Sequence, residues 1–279
     1  RKTVSMSIEL QQIKTPNGIV LWKGQSPFNG EDVVAIATGF NGSQNPKTGD
    51  MIQVWILQGN ENPNVAYMGG KDDTVCGDCK HRSVKNGGLS TCYVSVHQAP
   101  NNIYKSYRKG NYDDYSKEIP LSLFAGKKVR WGAYGEPTVI PLELISKVNA
   151  VAAGHTAYTH QWAKPEFQEY KSVCMASVDS PKEYKKARAL GWRTFRLLAN
   201  DEQLDKGEFA CPASEEAGKK RTCFTCMACD GSDGNPKKAV VAIKLHGRSF
   251  KIKRFNLIRK LQDQKKKWKH ILTDLLNGK

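Results

Sequence analysis

Hydrophobic and polar positions follow two different rhythms along this chain. Over residues 1–70, apolar and β-branched runs at 19–22, 32–38 and 51–57 are split by turns rich in Asn, Gly and Pro, which predicts a β-rich N-terminal section. The turn at 41–49 reads as an ordinary hairpin loop, with an anion wrapped by its backbone amides as the alternative. From residue 92 onward, strand-length apolar runs alternate with segments of helical period. Strands are expected at 92–96, 129–134, 155–161, 173–178, 194–198 and 239–245, and helices at 103–109, 142–153, 167–171 and 181–190. Ser180 is placed as an N-cap with Pro181 at the first helical position, and Gly191 ends that helix.

Strand-then-helix alternation argues for parallel strands joined by crossover helices, in about five or six units, and hence for an α/β protein built as a partial or complete (β/α) barrel. A doubly wound open sheet is the rival, and no GxGxxG fingerprint supports it. Over 254–276, Phe255, Ile258, Leu261, Trp268, Leu272 and Leu275 recur at helical spacing with Lys265, Lys266 and Lys267 between them, which predicts a long amphipathic helix. The expected division is a β-rich section over 1–70, a barrel-like catalytic domain with two cysteine clusters over 71–250, and a basic C-terminal helix over 251–279.

Charge adds a partner. The chain has 43 Lys and Arg against 27 Asp and Glu, a formal +16. Residues 241–279 alone hold 12 basic and 2 acidic side chains, a net +10. Such a surface attracts polyphosphate, so DNA or RNA is expected, gripped by Arg254, Arg259, Lys260, Lys265, Lys266, Lys267 and Lys269. A solvated basic helix and an anionic membrane surface are the alternatives. No run reaches the ~18 apolar residues of a membrane span, and residues 1–10 lack the apolar core of a secretory signal, so a soluble cytoplasmic protein is expected.

In a reducing compartment, clustered thiols stay free to bind metal. Cys211-x11-Cys223-x2-Cys226-x2-Cys229 offers four thiolates, which close a tetrahedral zinc site or hold an iron–sulfur cluster. Cys76-x2-Cys79-x12-Cys92 offers three, with His81, His97 or Cys174 as a fourth ligand or with one position open. Cys174, in mid-strand, reads as a buried apolar-like residue rather than a ligand.

In a parallel barrel the working residues gather at the carboxyl ends of strands. Those ends are polar here: Tyr134 and Glu136, then Tyr158, His160 and Gln161, then Ser177 and Asp179, then Arg196. Two carboxylates, an imidazole and aromatic rings at one mouth would supply a nucleophile, an acid/base partner and stacking walls for a flat ring. The alternative for Glu136 and Asp179 is that each caps the helix that follows it.

The run Gly132-Ala133-Tyr134-Gly135-Glu136-Pro137 resembles the Gly-rich, Val-Gly-Glu-bearing strand end of tRNA-guanine transglycosylases, and the cysteine cluster 211–229 resembles the zinc site that follows the barrel strands in that family. Its phage-borne, DpdA-like relatives exchange guanine in DNA for a 7-deazaguanine base. The resemblance implies covalent exchange: Asp179 attacks the sugar C1′, guanine leaves, and the deazapurine takes its place, with Glu136 near the incoming base and Tyr134 or Tyr158 stacking on it. The family's early Asp-Ser-Gly-Gly-Phe-Gln strand, which carries its general base, has no counterpart here, and the family's zinc spacing is Cys-x-Cys-x2-Cys with a distant His. A second resemblance is to radical S-adenosylmethionine enzymes, through Gly135-Glu136-Pro137 and a C-terminal four-cysteine cluster; their usual Cys-x3-Cys-x2-Cys spacing differs from that of Cys76, Cys79 and Cys92. The leading expectation is therefore a nucleic-acid-modifying transglycosylase with bound zinc. Its rivals are a radical enzyme using an iron–sulfur cluster with S-adenosylmethionine, and a non-enzymatic, metal-stabilised nucleic-acid-binding module.

Overall fold

The computed structural model describes residues 15–276 except 44, 87, 89, 219 and 233–239. The fold is mixed α/β. Its elements in chain order are β1 (Gly18–Gln25), β2 (Asp32–Thr38), β3 (Ile52–Gln58), α1 (Pro63–Gly69), α2 (Asp73–Cys76), α3 (Ala99–Arg108), β4 (Asp113–Asp114), β5 (Lys128–Tyr134), α4 (Leu142–Val151), β6 (Gly154–Thr156), β7 (Tyr158–Thr159), β8 (Met175–Val178), α5 (Pro181–Ala189), β9 (Thr194–Leu198), β10 (Glu208–Ala210), α6 (Cys223–Cys226), β11 (Val240–Lys244) and α7 (Ser249–Leu276).

Two sheets contain parallel strands, one in the order β4-β1-β2-β3-β5-β6 and the other in the order β10-β11-β9-β8-β7. The first begins as an antiparallel meander, β1-β2-β3, and turns parallel where β3 meets β5. Every pairing of the second is parallel. No ladder joins the two sheets among the described residues, and no helix there is long and apolar enough to cross a membrane. The meander, which falls in the β-rich section expected over 1–70, shares its sheet with β5 and β6.

The expected strand at 155–161 is split in two. Ala157 directs its N–H to Cys229 O (3.1 Å), out of line with its neighbours, so the chain leaves one sheet as β6 and enters the other as β7. The segment expected as a strand over 92–96 is irregular, because Cys92 N–H pairs with His81 O (3.2 Å) and not with a ladder. The helix expected over 167–171 is a 3-10 helix spanning Pro165–Ser172.

The main core packs Ile19, Leu21, Ile36, Ile56, Trp131 and Trp192 together, and Cys174 lies fully buried within it. A second core joins Met175, Val241 and Ile243 to Cys211, Cys229 and Phe255. Sheet edges and helix ends then fix the polar residues. Ser180 caps α5 by accepting from Glu183 N–H (3.2 Å), and Glu183 Oε2 accepts in return from Asp179 N–H (2.9 Å). Ser180→Ala is expected to cost about 1 kcal/mol, read as a lower midpoint in urea unfolding with an unchanged slope.

Candidate functional site

A cleft of about 710 Å³ opens where β7, β8, the start of α5 and α7 meet the loop after α2. His81, His160 and Asp179 line it together with the rings of Trp162 and Phe255. Its rim carries Lys80, Lys164, Lys182, Lys186, Arg259 and Lys265 against Asp78 and Glu183, so positive charge prevails.

Asp179 follows β8 directly and is 8 % exposed. His81 Nε2 stands 3.4 Å from its Oδ1, while His81 Nδ1 pairs with Thr91 Oγ1 at 2.8 Å. Burial would raise the Asp179 pKa, but the His81, His160 and Lys80 charges outweigh it and hold the carboxyl well below its usual range. Asp179 therefore stays ionised inside the cleft. Its Oδ1 and His81 Nε2 are buried and face each other at 3.4 Å, with no other polar partner among the described residues. A pair held this loosely in a cleft is where a ligand can compete.

Glu136 is placed behind His160 rather than on the cleft. It is 4 % exposed, and its carboxylate accepts from Thr159 Oγ1 (2.6 Å), His160 N–H (3.1 Å) and His160 Nδ1 (2.8 Å). Burial would lower the His160 pKa; the neighbouring Cys79 sulfur and the Glu136 carboxylate more than reverse this and hold it well above its usual range. The His160 and His81 rings are 5.4 Å apart, so the two imidazoles are neighbours.

The remaining strand-end residues lie elsewhere. Tyr134 is buried with its hydroxyl beside Cys76. Tyr158 packs edge-on against Phe195 (4.8 Å between ring centres) and lines the hollow of the second cysteine cluster, and Arg196 is buried in an ion pair with Glu208 (2.6 Å). Gln161 reaches back to Cys76 O (3.4 Å), and Ser177 is buried, its carbonyl accepting from Trp162 Nε1 (3.0 Å). The aromatic walls are Trp162 and Phe255 instead of the two tyrosines. Along α7, Arg259 pairs with Glu202, Arg254 lies 5.0 Å from the Phe250 ring, and Lys260 and Lys265 are exposed. Lys266, Lys267 and Lys269 belong to α7, and their side chains fall outside the described residues.

Sequence reasoning passed over Trp162, Lys80, Lys164, Lys182 and Lys186, and treated His81 only as a possible ligand. The signal available for it was the polar run Asp78-Cys79-Lys80-His81 inside the first cysteine cluster.

Among the described residues, ligand atoms of Cys79, Glu136 and His160 lie within 4.8 Å of one another, a group able to hold a metal ion. Cys76 and Cys92 lie outside that 4.8 Å group but beside it in the chain path: Cys79 N–H bonds to Cys76 O (3.0 Å) and Cys92 N–H to His81 O (3.2 Å), and burial raises both thiol pKa values, that of Cys92 to about 11. At the second cluster, Cys211, Cys223, Cys226 and Cys229 line one hollow of about 20 Å³. Cys223 and Cys226 sit on the single turn α6, which Thr222 and Thr225 close with a reciprocal cap; Met227, with φ of 52°, then turns the chain back so that Cys229 faces the same hollow. The 41–49 loop backs this cluster, accepting at Lys47 O from Cys223 N–H (3.0 Å) and at Thr48 O from Phe224 N–H (2.9 Å). Burial raises the Cys211, Cys223 and Cys229 pKa values, so these thiols keep their protons unless a cation replaces them.

Comparison with protein-family models, with curated proteins and with solved structures gives no match.

Proposed function

We propose that the protein is a nucleic-acid-modifying transglycosylase that exchanges guanine in DNA for a 7-deazaguanine base, with Asp179 as nucleophile. One observation carries this reading: an ionised, buried carboxylate paired with an imidazole lines a cation-rimmed cleft with two aromatic walls. The cleft's size suits a single flat base with its sugar. The target base leaves the duplex stack to enter, and stacking against Trp162 or Phe255 offsets part of the few kcal/mol this costs.

In the reaction, an Asp179 oxygen forms a bond to C1′ as the C1′–N9 bond breaks, and guanine departs with its bonding pair and takes up a proton. The incoming base loses its N9 proton and its nitrogen displaces the aspartyl oxygen from C1′. His81, 3.4 Å from Asp179, is the proton carrier best placed for both steps. Strand order supports a barrel-like frame: β3, β5, β6, then β7, β8, β9, β11 and β10 are parallel neighbours within their sheets, and Ala157 alone separates β6 from β7. The four thiols of the second cluster are the donor set of a structural metal site, which would clamp β6, β10 and the 41–49 loop together.

The test is to incubate the protein with duplex DNA, and separately with RNA, plus a 7-deazaguanine base, and to digest to nucleosides. The 7-deazanucleoside is expected from the DNA; its absence from both would refute the reading, and its appearance from RNA alone would reassign the substrate. The cation rim makes a separate prediction. Replacing Lys186 and Lys265 together by Ala is expected to flatten the dependence of log K on log salt by about two, one for each phosphate left without its lysine. An unchanged slope by fluorescence anisotropy would return these lysines to a merely solvated face.

A further inference from the structure

The first cysteine cluster has three thiols, and its fourth partner is legible in the geometry. Of the three residues that the spacing alone offers, none fits. His81 spends Nδ1 on Thr91 and turns Nε2 toward Asp179 (2.8 and 3.4 Å). His97 is exposed, 3.4 Å from the Arg248 guanidinium. Cys174 is sealed in the main core.

His160 has the required free atom. Its Nδ1 donates to the Glu136 carboxylate (2.8 Å), which fixes one proton there and leaves Nε2 as the ring nitrogen that can exchange its proton for a metal ion. That Nε2 is buried and has no hydrogen-bond partner among the described residues. A ring nitrogen of His160, the Cys79 sulfur and a Glu136 oxygen lie within 4.8 Å of one another. Glu136 itself is already engaged, since its two oxygens accept from Thr159 Oγ1, the His160 N–H and the His160 ring. A carboxylate so occupied orients a metal-binding imidazole from outside the ligand set.

We propose that Cys76, Cys79, Cys92 and His160 Nε2 form a closed four-ligand metal site of the zinc type behind the cleft, which His160 alone of the four lines, with Glu136 as the positioning residue for His160. Three thiolates and one imidazole are a donor set that suits tetrahedral zinc. The site ties the loop after α2 to the end of β7. Lys80 and His81 follow Cys79 directly in that loop, and His81 O accepts from Thr91 N–H (3.1 Å) and Cys92 N–H (3.2 Å). The metal thereby holds His81 beside Asp179. The inference does not depend on the reaction assigned to the cleft, because its readout is metal content.

The test is metal analysis with X-ray absorption at the metal edge on the purified protein and its variants. The wild type is expected to show sulfur donors near ~2.3 Å and a nitrogen donor near ~2.0 Å. His160→Ala should contain about one metal ion per chain fewer than the wild type, and His81→Ala the same number as the wild type. His160→Cys should keep the ion and lose the nitrogen shell, which preserves the test if the alanine variant fails to fold. Glu136→Gln should weaken metal affinity by about 10- to 100-fold. A wild type with no nitrogen donor, a His160→Ala variant with undiminished metal, or bound iron with inorganic sulfide would each overturn the site.

Discussion

Asp179→Asn is expected to lower base exchange by about 10⁴-fold or more while leaving nucleic-acid affinity within a few-fold of the wild type. The amide keeps the shape of the side chain and removes the charge that attacks C1′. The cations on the rim, which carry binding, are untouched. A folding defect is separable from this effect by the sign of the carboxyl's pKa shift. The folded-state value is depressed, so the ionised form contributes stability that is present above the unfolded value near ~3.9 and is lost as pH falls through the folded one. The wild type therefore holds this contribution across the neutral range, and the variant lacks it there. The two proteins should converge in stability in strong acid. By the same shift, exchange by the wild type should show no carboxyl titration at Asp179 between about pH 4 and pH 8. An Asp179→Asn enzyme that exchanges bases at an undiminished rate would rule out this nucleophile.

Replacing Cys211 and Cys229 together by Ala is expected to unfold the second sheet. A structural metal held by four thiolates contributes on the order of 10 kcal/mol, comparable to the whole stability of an ordinary domain. The loss should begin locally. Cys211 N–H pairs with Ala242 O at 2.8 Å, Cys229 O holds Ala157 N–H at 3.1 Å, and the 41–49 loop rests on α6, so β10, β11 and the β6–β7 junction lose their clamp together. Amide hydrogen exchange should show protection lost at 240–244 and 157–159 before it falls in the meander β1-β2-β3. A strong chelator added to the wild type should reproduce the pattern. Unchanged protection in both experiments would mean that the four thiols hold no metal.

Much of the framework was readable because local pattern and tertiary burial agree. The bounds of β2 and β9 follow directly from mainly apolar runs between turn residues, and α5 follows from the Ser180-Pro181 start and the Gly191 stop. The split between β6 and β7 was not readable, since it depends on Ala157 bonding to Cys229, a residue 72 positions away. The site was half readable. Strand-end logic put Asp179 and His160 on one cleft, but the same logic placed Tyr158 and Arg196 there, and their neighbours decide otherwise: Phe195 and the second cysteine hollow for one, Glu208 for the other. Strand position says which end a side chain occupies. It does not say which partner claims it. His81 was hidden for a related reason, because it arrives on a loop folded by the first cysteine cluster and not on a strand.

The most direct measurement of the central claim is peptide mass spectrometry of the wild-type protein incubated with a guanine-containing duplex, without an acceptor base, and denatured rapidly. A DNA adduct is predicted on the peptide containing Asp179, absent from Asp179→Asn and released when a 7-deazaguanine base is added before denaturation. An adduct mapped to any other residue, or base exchange proceeding with no adduct at all, would contradict covalent exchange through Asp179.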